Sequence, residues 1–301
     1  MPAPEIADVT ERARNARHMD THGRTLKTAA LALVVAVIVA CSGSESPTNP
    51  GVTTPPPPPN QVLLKDVVID RLPSPYYHFT YDASGRIADV SYASGLDDFG
   101  VTYNGAKIKE LVNLGGIGNR DRIVYAYDDA GRVGGVRYVD QNGVTTTINI
   151  YTYDGDKLVG VERSRRVPGG LIIDKTMAFT YYPDGNLETI TEHRPAIDIL
   201  QAPTTNVIRF EGYDTGTNVD GFSVIHDDFF DHLVLLPGVV IQKNNPGRET
   251  RTGDGLTYIV DYTYTYDTDG KRPTTKSGDL VITGGGTVGL HIPTSSVFTY
   301  Y

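Results

Sequence analysis

Residues 125–136 read YAYDDAGRVGGV, and this stretch decides the fold. Before its turn, the aromatic residues Tyr125 and Tyr127 flank a small residue, which is the period-two pattern of a β-strand. Asp128 stands where its carboxylate can accept from the backbone two residues on, and Gly131 stands where a positive φ is needed. The stretch therefore predicts a β-hairpin closed by a type I turn with a bulge.

The same unit recurs along the chain. Related segments are FTYDASGRIADV from Phe79, VTYNGAKIKEL from Val101, YTYDGDKLVGV from Tyr151, FTYYPDGNLETI from Phe179 and YTYDTDGKRP from Tyr264. After the turns, an apolar pair recurs three residues apart, as at Val133 and Val136. A regular strand would point such a pair to opposite faces. Either both faces are covered, or a bulge re-aims one residue of the pair.

The number of strands constrains the architecture. Six hairpins supply about twelve strands, and stretches near 62–70, 281–283 and 297–301 add more. Open twisted sheets beyond about ten strands curl, split or close. A closed barrel of that size has a lumen too wide for side chains alone to fill. We predict a single all-β domain over residues 61–301, an antiparallel meander forming a large curled sheet or barrel-like structure, with residues 213–246 as its cap.

The motif Tyr-Asp-x-x-Gly-Arg, complete at 81–86 and 127–132, resembles the YD repeat of Rhs-type proteins. The chain is also similar to uncharacterised Gram-negative lipoproteins that carry YD-like hairpins and have a porin-like fold. In those lipoproteins a segment of the type Tyr-Asp…Asn…Phe…Asn-Asn-Pro interrupts the hairpins. The matching positions here are Tyr213, Asp214, Asn218, Phe222, Asn244, Asn245 and Pro246. The resemblance covers roughly residues 61–301 and implies an architecture rather than an activity.

The segment ahead of this domain has the features of an export signal. Thr28–Ala40 is an uncharged run of thirteen residues, too short for a membrane-spanning helix but typical of a signal-peptide core. Residues 1–40 are predicted to be a signal peptide, with Met19 as an alternative true start. Residues 38–41 resemble the lipobox of bacterial lipoproteins, which implies cleavage before Cys41 and lipid attachment to that residue. Two or three acyl chains on one residue anchor a protein stably.

A tether is predicted to follow the lipid site. Residues 42–60 contain seven prolines and favour an extended, disordered linker. Ser42 stands where an Asp favours inner-membrane retention in the lipoprotein family, so the resemblance implies the outer membrane. The face to which the domain is exposed stays open. Removal of residues 1–40 leaves 22 basic and 32 acidic residues, a net charge of −10, so we expect the lipid rather than the domain to bind the membrane.

Composition excludes several classes of protein. The chain has 19 Tyr, 8 Phe and no Trp, and no aromatic residue precedes Tyr76. Its net charge of −9 argues against a nucleic-acid binder that uses a basic surface. One cysteine excludes a disulfide framework and a multi-cysteine zinc site. The glycine runs 115–118 and 284–286 lack a following helix, so we expect no cofactor.

A tyrosine surface is the strongest candidate for ligand binding. Tyr258, Tyr262, Tyr264 and Tyr266 share one face of a predicted strand, while Asp261 lies on the other face. Such a face either stacks on sugar rings or packs against aromatic neighbours in the sheet, and packing is the preferred interpretation.

Metal binding and catalysis receive little support. His226, Asp228 and His232 are the weak candidates for metal ligands, and an exposed acidic loop is preferred for them. Arg163, Arg165 and Arg166 are expected in a solvated hairpin tip. No motif selects a nucleophile or a pair of carboxylates.

We therefore expect a lipid-anchored envelope protein with a non-catalytic body that binds a glycan or an envelope partner, or scaffolds an assembly. The alternatives are a carbohydrate-active hydrolase and a transmembrane β-barrel. Arg137, Glu162 and Asp261 in the predicted strands argue against the barrel alternative.

Overall fold

The computed structural model describes residues 62–115, 121–196, 202–226 and 233–301. These residues form an antiparallel meander of sixteen strands in which each strand pairs with its neighbours in sequence. The first and last strands pair as well, with Val67 opposite Phe298, and the sheet is a closed barrel. The predicted all-β meander is confirmed.

The longest strands, of ten to twelve residues, are the eighth to tenth and the fourteenth to sixteenth. They are β1 Leu64–Ile69, β2 Tyr77–Tyr81, β3 Ile87–Tyr92, β4 Asp97–Asn104, β5 Lys107–Asn113, β6 Arg122–Tyr127, β7 Val133–Val139, β8 Thr145–Asp154, β9 Lys157–Val167, β10 Gly170–Tyr181, β11 Leu187–Arg194, β12 Thr204–Glu211, β13 Arg248–Gly253, β14 Thr257–Tyr266, β15 Pro273–Gly284 and β16 His291–Tyr300. A 3-10 helix, Gly221–Ile225, lies between β12 and β13.

The predicted turn chemistry is present in the hairpin of β6 and β7. The Asp128 carboxylate accepts from the Arg132 amide at 2.8 Å, and Gly131 has a φ of 82°. The strand register shifts at Tyr127, which marks a β-bulge. Val133 and Val136 are therefore both turned inward, each only 1% exposed. Of the two explanations for the apolar pairs, the bulge is the correct one.

The repeated tyrosines join neighbouring hairpins at one end of the barrel, which we call the YD rim. Each hydroxyl donates to a backbone carbonyl within two residues of the start of an odd-numbered strand, at 2.6 to 3.0 Å. The pairs are Tyr81 to Leu64, Tyr103 to Ile87, Tyr127 to Ile108, Tyr153 to Val133, Tyr181 to Leu158, Tyr213 to Leu187, Tyr264 to Pro246 and Tyr300 to Pro273. Sixteen strands make eight hairpins, so these hydrogen bonds run around the whole rim.

The described residues between β12 and β13 pack inside the barrel, and we call residues 212–226 and 233–247 the plug. The Phe222 ring lies 5.0 Å from that of Tyr77 and 5.5 Å from that of Phe79, both on β2. The Leu235 amide donates to the Tyr125 hydroxyl at 3.0 Å. Leu233, Val234, Leu235 and Ile241 belong to the same buried core as the inward residues of the strands. The described parts of residues 213–246 therefore pack against the inward face of the strands, as predicted for a cap.

The prediction of a solvated hairpin tip is wrong for Arg163. All three arginines lie within β9, because the turn begins only after Val167, and Arg165 and Arg166 are exposed there. The Arg163 guanidinium is buried and binds the Asp174 carboxylate through two hydrogen bonds of 2.9 Å. A buried charge of this kind needs its partner, since an unpaired charge is strongly unfavourable in the interior.

The outer wall carries polar side chains on β14. Asp261, Thr263 and Thr265 are exposed there, and Asp261 pairs with Arg248 of β13 at 2.5 Å. In the four described ranges, no helix is long and apolar enough to cross a membrane.

Candidate functional site

The four candidate tyrosines of β14 all point into the barrel. Their side chains are partly buried, whereas the alternating residues Asp261, Thr263 and Thr265 are exposed. The ring centres of Tyr262 and Tyr264 lie 6.4 Å apart, and those of Tyr264 and Tyr266 lie 6.3 Å apart. The predicted shared face is therefore present, and it lines the lumen.

Two of these tyrosines bind the two ends of the plug, where it leaves β12 and joins β13. The Tyr264 hydroxyl donates to the Pro246 carbonyl at 3.0 Å. The Tyr266 hydroxyl donates to the Asp214 carboxylate, and Asn245 Nδ2 donates to Tyr266 at 3.3 Å. The hydroxyls of Tyr264 and Tyr266 are therefore engaged by the plug.

The other two tyrosines converge on a carboxylate inside the barrel. The Tyr258 hydroxyl donates to Glu249 Oε1 at 2.7 Å, and the Tyr262 hydroxyl donates to Oε2 at 3.0 Å. A carboxylate oxygen accepts strongly, so the two phenols and the acid form a fixed unit. Burial raises the pKa of the Tyr258 and Tyr262 phenols, and the neighbouring Glu249 charge raises the pKa of both further. Both phenols therefore remain neutral donors at physiological pH.

An ion pair connects this wall to the plug. Lys276 Nζ lies 4.4 Å from the centre of the Tyr262 ring and 3.4 Å from Asp220 Oδ2 of the plug. Both side chains are largely buried. The ammonium is thus held between an aromatic face and a carboxylate, two environments that favour a cation.

These residues surround a cavity of about 150 Å³, which we call the wall cavity. Its lining includes Glu249, Tyr258, Tyr262, Lys276, Thr294 and Ser296. The lining offers ring surface, a carboxylate, an ammonium and the hydroxyls of three Ser and Thr residues, which together can donate and accept hydrogen bonds. Such a set suits a ligand rich in hydroxyl groups.

Sequence reasoning identified Tyr258 and Tyr262 but missed Glu249 and Lys276. Glu249 lies on β13, whose sequence RETRTG carries no repeat motif. Its position opposite Val260 follows only from strand pairing across the hairpin. For Lys276, the only signal in the sequence was alternation. Lys276 lies on the inward face of β15, between Thr275 and Ser277.

Of the three weak candidates for metal ligands, the structure describes only His226. His226 Nδ1 is hydrogen-bonded to the Tyr77 hydroxyl at 2.8 Å, and its ring lies 5.0 Å from that of Tyr92. Asp228 and His232 lie outside the described residues, as does Cys41. Among the residues that are described, no group of three or more His, Cys, Asp or Glu side chains is placed to hold a metal ion.

Comparison with known proteins identifies a shared fold. No family model matches the chain, and no curated protein matches its sequence. A crystal structure of a porin-like protein from Bacteroides uniformis has 14% identity and a TM-score of 0.52, covering 75% of this chain and 89% of that one. A porin-like protein from Bacteroides vulgatus has 14% identity and a TM-score of 0.53, covering 79% of this chain and 98% of that one. The porin-like architecture implied by the sequence is thereby supported, while kinship with Rhs-type proteins stays a hypothesis.

Proposed function

We propose that this chain is a non-catalytic binding protein of the cell envelope, in which the wall cavity takes a small hydroxyl-rich ligand such as a glycan unit. The observation that carries the proposal is the convergence of Tyr258 and Tyr262 on Glu249 beside Lys276. Tyrosine rings offer surface to a sugar ring, and the charged groups can hydrogen-bond its hydroxyls.

The size of the wall cavity is consistent with this ligand class. An engineered cavity of about 150 Å³ holds a six-membered ring such as benzene, and the wall cavity has about the same volume. An apolar ring would leave the Glu249 and Lys276 charges without new partners. A ring that carries hydroxyl groups would pair with both charges, so the polar lining favours a sugar over a hydrocarbon.

The polar outward face of β14 supports a barrel that is surrounded by water rather than by lipid. A transmembrane barrel presents an apolar band about 25 Å tall to lipid. Here the outward positions of β14 carry Asp261, Thr263 and Thr265, and the side chain of Asp261 is 63% exposed. We propose that lipid on Cys41 holds the protein at the outer membrane and that the tether of residues 42–60 separates the barrel from the bilayer. The hydrolase alternative finds no support in the comparisons.

Calorimetric titration of the full-length protein with a panel of neutral and acidic sugars tests the binding proposal. We expect at least one sugar to bind, and Glu249→Gln to weaken that binding about tenfold through loss of a charged acceptor. Asp261→Asn is the matched control, because it makes the same chemical change on the outer wall of the adjacent strand. Absence of binding across the panel, or equal loss in both variants, would contradict the wall cavity as the site.

A further inference from the structure

The wall cavity and the plug share one cation. Among the described residues that line the wall cavity, Lys276 is the only one with a positive charge. Its Nζ also lies 3.4 Å from Asp220 Oδ2 of the plug. A strong hydrogen bond between an ammonium and a carboxylate measures about 2.7–2.9 Å, so this ion pair is long. The ammonium therefore faces both the cavity and the plug, and its bond to the plug is one that another anion can replace.

The Asp220 carboxylate is directed at this cation rather than at its own backbone. Asp220 precedes the 3-10 helix Gly221–Ile225, a position from which Asp usually accepts from the first amides of a helix. In this described helix, its side chain makes no such bond. Instead, Asn218 Nδ2 donates to Oδ1 at 3.1 Å and the Lys276 ammonium faces Oδ2. Burial raises the pKa of Tyr264 on β14, and the charge of Asp220 raises it further, which agrees with a carboxylate inside the barrel.

We propose that Asp220 occupies the place of an acid group of the ligand, so that an acidic sugar and the plug compete for Lys276. The inference rests on the proposed function, because the wall cavity must take a sugar. The carboxylate of the ligand pairs with Lys276 while its hydroxyls donate to Glu249. Asp220 then loses its partner, and since an unpaired charge is unfavourable away from water, the plug loosens on this side.

A neutral sugar has a different effect on the same cation. An ammonium has three donors, so a hydroxyl of the sugar accepts from Lys276 while the ion pair with Asp220 stays in place. The plug therefore distinguishes two ligand classes. An acidic sugar binds against the plug, whereas a neutral sugar binds beside it.

Glucose and glucuronate test this competition, since they share a pyranose ring and differ by a hydroxymethyl group against a carboxylate. Calorimetric titration of the full-length protein measures the ratio of their affinities. Asp220→Asn removes the competing charge at constant size and is expected to shift the ratio toward glucuronate at least about fivefold, the lower end of typical coupling between sites. Lys276→Gln removes the cation and is expected to shift the ratio toward glucose about tenfold.

Asp261→Asn is the matched control, because it makes the same change on the outer wall, and it is expected to leave the ratio within about twofold. An unchanged ratio in Asp220→Asn or in Lys276→Gln would overturn the inference. So would an equal shift in Asp220→Asn and Asp261→Asn.

Limited proteolysis tests the displacement itself, because loss of a negative charge favours any anion nearby. Saturating glucuronate is expected to accelerate cleavage within the plug at least about fivefold in the wild type, and saturating glucose to leave it within about twofold. In Asp220→Asn, cleavage is already fast without sugar and does not respond to glucuronate. Equal cleavage rates with the two sugars in the wild type would contradict displacement of Asp220.

Failure of the proposed function gives a different result. The whole panel of sugars decides whether the wall cavity binds a sugar at all. Absence of glucuronate binding to Asp220→Asn overturns the inference alone. Binding of a neutral sugar that Glu249→Gln weakens, together with an unchanged glucuronate-to-glucose ratio in Asp220→Asn, removes the inference and leaves the proposed function intact.

Discussion

The hydroxyl of Tyr103 donates a hydrogen bond to the carbonyl of Ile87 at 2.7 Å, from one hairpin to the hairpin before it. The guanidinium of Arg86, next to Ile87 in sequence, lies 4.2 Å from the centre of the same ring. The contact recurs as Lys107 on Tyr127, Arg132 on Tyr153 and Lys157 on Tyr181. The tyrosine of the repeat therefore acts between hairpins and its Asp and Gly act within one, while the basic residue does both, since Arg86 also pairs with Asp82 of its own hairpin at 2.7 Å.

Tyr103→Phe is expected to lower the free energy of unfolding by about 1–2 kcal/mol. The change removes the hydroxyl but keeps the ring, so the Ile87 carbonyl loses a partner inside the rim. Arg86→Gln is the complementary variant, which keeps the hydroxyl and removes both the cation over the ring and the ion pair with Asp82, at a cost of about 1–2 kcal/mol. Urea unfolding measures both. Stability of Tyr103→Phe equal to that of the wild type would show that the rim hydrogen bonds are not stabilising.

The rim tyrosines predict a loss of stability in alkali. Burial raises the pKa of Tyr103, Tyr153 and Tyr181 to about 12, compared with about 10 in an unfolded chain. The folded state therefore favours the protonated phenols. Their contribution is complete below about pH 10 and is lost as the pH rises through about 12. Phenolate absorbance followed with stability across this range checks the prediction, which fails if the folded protein titrates all its tyrosines near pH 10.

Asn186 replaces the basic residue of the repeat in the fifth hairpin, and this exchange attaches the plug. The backbone N–H of Asn244 in the plug donates to Asn186 Oδ1 at 2.9 Å, and Asn186 Nδ2 donates to Asn244 Oδ1 at 3.2 Å. Asn186→Arg restores the repeat but removes both bonds and adds volume at a buried position, at a cost of about 2–4 kcal/mol.

Limited proteolysis is the measurement, and cleavage between residues 212 and 247 is expected to accelerate in Asn186→Arg. The reverse exchange, Arg132→Asn, is the control, because it alters a rim position whose contacts are made with Asp128 and with the ring of Tyr153. Equal cleavage rates in both variants would show that the Asn186–Asn244 pair does not hold the plug.

We predict that a lipid on Cys41 attaches the protein to the membrane. In a Gram-negative host, Cys41→Ala is expected to block incorporation of labelled palmitate and to move the protein from the detergent phase to the aqueous phase, because no acyl chain remains. Ser42→Ala is the matched control and keeps the label. Label retained by Cys41→Ala would rule out the lipid site.

Much of the barrel was predictable because hairpin formation is local. Asp128 and Gly131 lie within one turn, and both act on backbone atoms a few residues away. The wall cavity was only half predictable. Tyr258 and Tyr262 stand out as an alternating aromatic run, whereas Glu249 becomes their partner only through the pairing of β13 with β14.

The sequence alone specified the repeated hairpins and their order, since turn chemistry and period-two alternation are properties of neighbouring residues. Tertiary structure decided what depends on distant pairing. Val67 meets Phe298 only when the sheet closes, and Asp220 reaches Lys276 only when the plug enters the lumen. These contacts depend on the curvature of the whole sheet and on the volume left inside it, neither of which is written in any short segment.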